Sequence, residues 1–297
     1  MAKKKTGFFS KIGAVAAKVN YRYVAWVIIP LLLAGAVFFG ARRGWSALRQ
    51  QPRFVMSPST LFFGTKPAPV RNEPMLEELR EELGDTLSNA TIFDEYLCRR
   101  VAHELHASPW VLEVKRVSRL LPNRLNVEAV FRLPAGIVEM PSARYMIDRQ
   151  GYWLPTELYR QPPGWESAKP PHIVDSRLTE LPVRGRRWNS ASLVVGARLS
   201  ALLVRSGILD LVDLERIDVT KVGTRGHEAD VVLVTKTGRT IKWGTTDAYE
   251  EIRTLDRAKS AHPDREKLAM LRDMLQEKPN LTGLNYVDLR YGMMAPE

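Results

Sequence analysis

The sequence predicts an α+β protein: a single transmembrane helix, then an αββ module, then a strand-rich β domain whose C-terminal strand lies at a sheet edge. Three observations predict this. An uncharged run of 18 residues, Val24 to Ala41, follows a basic tail. A four-residue apolar period over Phe93 to Leu105 gives way to two-residue alternation over Leu125 to Phe131. Short β-branched and aromatic segments between turn residues then recur as far as Tyr291.

The first 60 residues hold ten Lys or Arg and no Asp or Glu. Six of the ten precede the apolar run and four follow it (Arg42, Arg43, Arg49 and Arg53). Residues 61–297 carry 34 basic and 33 acidic side chains, so the net charge of +11 belongs almost wholly to the flanks of one apolar segment. That distribution argues against a phosphate-binding surface and hence against a nucleic-acid partner. At about 1.5 Å per residue the run spans roughly 27 Å, enough for a hydrocarbon core. Tyr21, Tyr23, Trp26 and Trp45 flank it as interfacial anchors. A cleaved signal peptide is the rival reading. Its apolar core is usually about 7–15 residues, and Gly40-Ala41-Arg42-Arg43 makes a poor cleavage region. The expected organisation is a cytoplasmic basic tail (1–22), a helix crossing the inner membrane once (23–41) and extracytoplasmic domains beyond it. The basic residues favour a cytoplasmic N-terminus.

Residues 42–139 are expected to hold a juxtamembrane segment and the αββ module, with 64–88 inserted as a loop and a short solvated helix. Pro67, Pro69, Pro74 and the charged run Glu77 to Glu82 carry that reading. Thr91-Ile92-Phe93-Asp94 reads as a helix start, Phe93, Leu97, Val101 and Leu105 as its apolar stripe, and Pro109 as its stop. Val111 to Leu120 reads as a strand, Pro122-Asn123 as a turn, and Leu125 to Phe131 as a half-buried strand. In the β domain (140–297), Asp148-Arg149-Gln150-Gly151 and Thr237-Gly238-Arg239 read as hairpin turns. Helices are expected from about Ser190, with Leu193, Ala197 and Leu203 inward, and around Leu268, Leu271 and Leu275.

Catalytic motifs are sparse. His103-Glu104-Leu105-His106 has i,i+3 spacing rather than the i,i+4 of His-Glu-x-x-His zinc sites, and no third ligand is evident. There is no Gly-x-Ser-x-Gly elbow, Gly-rich phosphate loop or Cys-x-x-Cys pair, and Cys98 is the one cysteine. The expectation is a protein that is not an enzyme and has no catalytic, cofactor or metal residues. The candidate site is instead the strand formed by Tyr286, Val287, Asp288, Leu289, Arg290 and Tyr291. An edge strand there presents unpaired backbone groups to a partner strand. Alternation places Val287, Leu289 and Tyr291 inward and Tyr286, Asp288 and Arg290 outward. Arg290 is expected to fork onto a partner carboxylate, and Tyr291 is the candidate aromatic anchor.

The order of these features resembles the FtsQ/DivIB family of bacterial cell-division proteins. Ser108-Pro109-Trp110-Val111, then Val114 and Val117, then Leu121-Pro122-Asn123-Arg124-Leu125-Asn126-Val127 is similar to that family's strand–turn–strand. Phe131-Arg132-Leu133-Pro134-Ala135 stands where the family has Arg-x-Pro. Met146-Ile147-Asp148-Arg149-Gln150-Gly151 resembles its (Val/Ile)-Asp-x-x-Gly hairpin, and Leu181-Pro182-Val183-Arg184-Gly185 its Leu-Pro-x-x-Gly. Tyr286 to Tyr291 resembles its C-terminal signature. Phe54 to Gly64 departs from the family's first ectodomain strand. The resemblance implies a POTRA-like αββ domain, a β domain and a non-catalytic divisome scaffold that helps regulate septal peptidoglycan synthesis. It implies FtsB/FtsL-like coiled-coil partners at the C-terminal edge, with Arg290 and Tyr291 as matching positions, and other division proteins at the POTRA-like domain. Another POTRA-type envelope assembly factor and an envelope hydrolase are the alternatives.

Overall fold

A computed structural model of the chain describes residues 21–49, 51–64, 70–88, 90–162, 165, 170–224, 230–247 and 263–296. Most of the expected basic tail, and His227 and His262, lie outside the described residues. Helix α1 (Tyr21–Arg49) runs past the Arg42-Arg43 pair instead of ending at Ala41. Solvated arginines are good helix formers, so charge ends the membrane-compatible stretch without ending the helix. The helix is long and apolar enough to cross a membrane, with a mean hydropathy of 1.6 over its most apolar window, and its side chains from Trp26 to Phe39 are almost all exposed. Its last turns are anchored to the rest of the protein. The Trp45 ring lies 5.4 Å from Phe93, and Leu48 packs on the first hydrophobic core.

That core belongs to a small mixed sheet, β1 (Leu61–Phe63), β3 (Arg124–Phe131) and β2 (Val111–Leu120) in spatial order, with β1 parallel and β2 antiparallel to β3. Leu125, Val127, Ala129 and Phe131 are buried, as their alternation predicts. Helices α2 (Asn72–Glu82), α3 (Gly84–Ser88) and α4 (Leu97–Ala107) connect β1 to β2. The expectation of a solvated insertion over 64–88 is corrected here. Met75, Leu79, Leu83 and Leu87 recur every four residues, are at most 1 % exposed, and help build the core. The surrounding glutamates turn outward, and their density concealed the stripe. The start of α4 is corrected too. Thr91 forms a β-bridge with Val55, and the Ile92 N–H donates to the Phe54 carbonyl at 2.9 Å, so the helix begins only at Leu97.

The second sheet runs β11 (Met293–Pro296), β10 (Leu284–Asp288), β9 (Thr240–Gly244), β8 (Val231–Thr235), β7 (Leu214–Asp218), β6 (His172–Val174), β4 (Pro134–Glu139) and β5 (Arg144–Asp148), among the described residues. Strand β4 lies in this sheet, so the boundary falls between Phe131 and Pro134 and not at residue 139. Proline suits the first residue of a strand, where a ladder donor is least needed. The Asp148–Gly151 turn does reverse the chain, with Leu154 N donating to Met146 O at 2.8 Å, but the main partner of β5 is β4.

Helix α5 (Ala191–Ser206) starts where the sequence predicts, with the Ser190 hydroxyl accepting from Leu193 N at 3.4 Å. It lies against β4, β6 and β7, and Leu193, Ala197 and Leu203 are fully buried. The approach is close because both sides lack side chains: a Cβ on Gly136 or Gly196 would stand 2.5 or 2.6 Å from methyl carbons of Ile173. Helix α6 (Asp264–Glu277) adds Leu271, Met274 and Leu275 to the same core.

Short motifs far apart in sequence meet where the two sheets join. Arg132, just after β3, donates from Nε to the Pro109 carbonyl at 2.8 Å and from Nη1 to Asp148 at 2.9 Å. Its guanidinium lies 3.5 Å from the centroid of the Tyr152 ring. Gly185, at φ +68°, sits so near Pro109 that a Cβ would stand 2.9 Å from that ring. The Ser-Pro-Trp, Arg-x-Pro, Asp-x-x-Gly and Leu-Pro-x-x-Gly segments are thus parts of one joint.

Candidate functional site

The C-terminal strands carry the candidate site. After α6, Asn280 at φ 52° and Gly283 at φ 74° turn the chain, and β10 enters the sheet parallel to β9, pairing Tyr286 with Thr240 and Asp288 with Lys242. The expectation that Tyr286 to Tyr291 form the edge is corrected. Strand β10 is paired on both sides, because Gly292 at φ 64° reverses the chain and β11 returns antiparallel along it. Val287 faces Met294 and Asp288 faces Met293. The strand with no neighbour on its outer side, among the described residues, is β11.

The side-chain expectations divide in the same way. Val287 and Leu289 are fully buried, as alternation predicts, but Asp288, expected outward, is buried as well at 3 % exposure, its carboxylate covered by the Arg290 side chain. Tyr291 is not inward: it is 65 % exposed, because regular strand ends at Asp288 and the alternation lapses in the turn that follows. Tyr286 is half-buried with Lys242 Nζ 4.2 Å from its ring centroid. Arg290 is engaged within the chain. Its Nε and Nη2 fork onto the two carboxylate oxygens of Asp288 at 2.9 and 2.6 Å, and its backbone N–H donates to the same carboxylate at 3.1 Å. These hydrogen bonds hold the Asp288 carboxyl below its usual pKa against the opposing effect of burial. The aliphatic stem of Arg290 rests over Gly244, at φ 80°, where a Cβ would stand 2.7 Å from its Cγ. The residue proposed to grip a partner therefore braces the turn into β11.

What remains exposed is an apolar rim. Tyr291 (65 %), Met293 (52 %) and Met294 (39 %) stand beside the outer edge of β11. The sequence reading passed over Met293, Met294 and Ala295. The signal that could have found them is Gly292, a turn residue between the signature strand and a second short apolar run. Elsewhere, His103 and His106 are both exposed on α4, and no three His, Cys, Asp or Glu gather into a metal-holding group among the described residues. Neither a protein-family model nor a curated protein sequence matches this chain.

Proposed function

We propose that the protein is a membrane-anchored, non-catalytic scaffold of bacterial cell division, of the FtsQ/DivIB kind, that receives a partner strand at its C-terminal sheet edge. The observation that carries this reading is the outer side of β11, a strand edge beside exposed Tyr291, Met293 and Met294. Such an edge offers backbone donors and acceptors for general affinity, and apolar side chains for selectivity. The rest of the chain supports the same role. One apolar helix near the N-terminus would hold it at the cytoplasmic membrane with both sheets outside. The small three-stranded sheet with helices between β1 and β2 supports reading this part as a POTRA-like domain, to which further division proteins would bind. The partners at β11 would be FtsB/FtsL-like coiled-coil proteins, and the binding would help regulate septal peptidoglycan synthesis.

The test is co-purification of the full chain with FtsB- and FtsL-like partners, comparing wild type with Met294→Pro, Ala295→Pro and Tyr291→Glu. Neighbouring N–H groups on a strand point to opposite sides, so one of the two prolines removes an outward donor and the other weakens the β10–β11 ladder. Loss of partner with both prolines, in folded protein, is the expected result. Undiminished capture by both variants would overturn strand addition, and depletion without a division defect would overturn the wider role.

A further inference from the structure

The arginines that follow the apolar run have no part in the C-terminal edge. Arg42, Arg43, Arg49 and Arg53 fall within residues 42–55, a stretch with no carboxylate. Basic residues normally gather on the cytoplasmic side of a span. Here they stand on the side that carries both sheets. Helix α1 continues without a break through Arg42-Arg43 to Arg49, so it acts as a ruler. Trp45 lies about 6 Å beyond Ala41 along the axis, which is within the headgroup layer when the apolar run fills the hydrocarbon core. Arg49 lies over the Trp45 ring, 5.5 Å from its centroid.

Packing brings the β2–β3 turn to the same place. Trp45 meets Phe93, and the carbonyls of the next two residues, Asp94 and Glu95, accept from Arg119 Nη2, the second at 3.0 Å. On the other side of the turn, Asn123 Nδ2 donates to the Val55 carbonyl at 3.5 Å. Arg119 and Asn123 bracket Leu120, Leu121 and Pro122, so these bonds hold that tip beside the foot of α1. The tip is apolar and open: all three residues are exposed, Leu121 by 71 %. Arg119 and Arg124 flank it, both exposed. Over residues 42–55, 91–100 and 119–124 there are eight arginines and two carboxylates, and one of the two, Asp94, pairs with Arg100. Exposed apolar groups rimmed by cations next to a span suit the interfacial layer of a bilayer.

We propose that the β2–β3 turn is a second membrane contact. Leu120, Leu121 and Pro122 enter the interfacial layer of the extracytoplasmic leaflet beside α1, and Arg49, Arg53 and Arg124 hold phosphates of anionic phospholipids. The inference rests on the reading of α1 as a membrane anchor. Guanidinium forks match phosphate oxygens, and basic segments beside a span are drawn to anionic lipid. The bilayer is the occupant because this surface adjoins the span at headgroup depth. A helix and a turn together stop the body from swivelling about the end of α1, so the β11 edge is presented in one orientation.

The experiment is fluorescence quenching of the full chain reconstituted in vesicles. The chain carries Cys98→Ser and one new cysteine bearing a polarity-sensitive fluorophore, at Leu121, at Phe38 in the span, or at exposed Leu211 on the second sheet. The vesicles are phosphatidylcholine with or without about 30 % phosphatidylglycerol, and contain a phospholipid with a nitroxide either near the headgroup or at mid-chain. With phosphatidylglycerol present, the shallow nitroxide should quench the Leu121 probe at least threefold more than the Leu211 probe, and the deep one should quench Phe38. Omitting phosphatidylglycerol should at least halve the quenching at Leu121, and so should Arg49→Gln/Arg124→Gln. Arg216→Gln/Lys236→Gln, which removes the same charge elsewhere, should change it by less than a fifth. The lipid comparison leaves the arginines intact, so it decides the point even if an arginine variant melts early. Quenching at Phe38 with none at Leu121 would overturn the second contact and leave the anchor standing. No quenching at Phe38 would overturn the anchor and the contact with it. Equal quenching at Leu121 with and without phosphatidylglycerol, or equal losses in the control pair, would overturn the arginine–phosphate contacts.

Discussion

Removing the carboxylate of Asp148 should loosen the joint between the two sheets. In the ion pair at 2.9 Å, the Arg132 and Asp148 side chains are 9 % and 5 % exposed. Breaking such a pair by deleting one partner leaves a buried charge and costs about 3–5 kcal/mol. Asp148 Oδ1 also accepts from the backbone N–H groups of Gln150 and Tyr152, each at 2.8 Å, and losing an acceptor at a part-buried turn costs about 0.5–1 kcal/mol apiece. Against this, Arg132 keeps the Pro109 carbonyl, the Gln150 side-chain oxygen and the face of Tyr152. The low end of the first figure then applies, and Asp148→Ala should cost about 4 kcal/mol. For a folded body of this size roughly 2–4 °C per kcal/mol gives a fall in Tm of about 8–16 °C. Asp148→Asn keeps an oxygen for the turn and should lose about half as much. Arg132→Met/Asp148→Leu should be more stable than Asp148→Ala, since no charge is left unpaired. Thermal melts of the full chain in detergent measure all three. A fall below about 3 °C for Asp148→Ala, or a double variant as unstable as the two single changes summed, would refute the reasoning.

Other outcomes follow from the same packing. Gly136→Ala should destabilise by about 1–3 kcal/mol through overpacking. Ile173→Val removes the methyl 2.5 Å from the new Cβ and should recover part of that loss in denaturant titrations of the double variant. Gly244→Ala should cost about 1–3 kcal/mol from its left-handed backbone alone and should also push Arg290 off its seat. Adding Arg290→Ala should relieve the second effect and not the first. The Asp288 carboxyl has a lowered folded-state pKa, so its contribution is full above the unfolded value of about 4 and is lost as pH falls through the folded one. Arg290→Met should therefore flatten the acid limb of Tm against pH, and an unchanged limb would count against the Asp288–Arg290 brace.

Much of the secondary structure was legible because local pattern and burial agree. The Ser190 cap, the stripe on α4 and the alternation on β3 each state their own element. The helices over 72–88 were misread because glutamates surround a stripe whose spacing is regular but whose mean character is polar. The joint could not be read, since the contacts of Arg132 with Asp148 and of Gly185 with Pro109 depend on long-range folding, and spacing within each motif says nothing of it. The candidate site was half legible. The Asp288–Arg290 pair was not legible, because strand alternation stops at Asp288 and the turn that follows brings Arg290 back onto its carboxylate. The edge itself moved by one strand, because Met-Met-Ala-Pro has little β-branched or aromatic character to announce it.

The most direct measurement is photo-cross-linking in membranes. A photoreactive residue is placed singly at Met293, Met294 and Ala295 on the outer strand, and at Ile173 in the middle of the sheet as a control. The proposed strand addition predicts adducts with a single division partner from the β11 positions, lost from the Met293 and Met294 probes on Ala295→Pro, and none from Ile173. Adducts absent from all three β11 positions, while that partner still co-purifies with the chain, would contradict it.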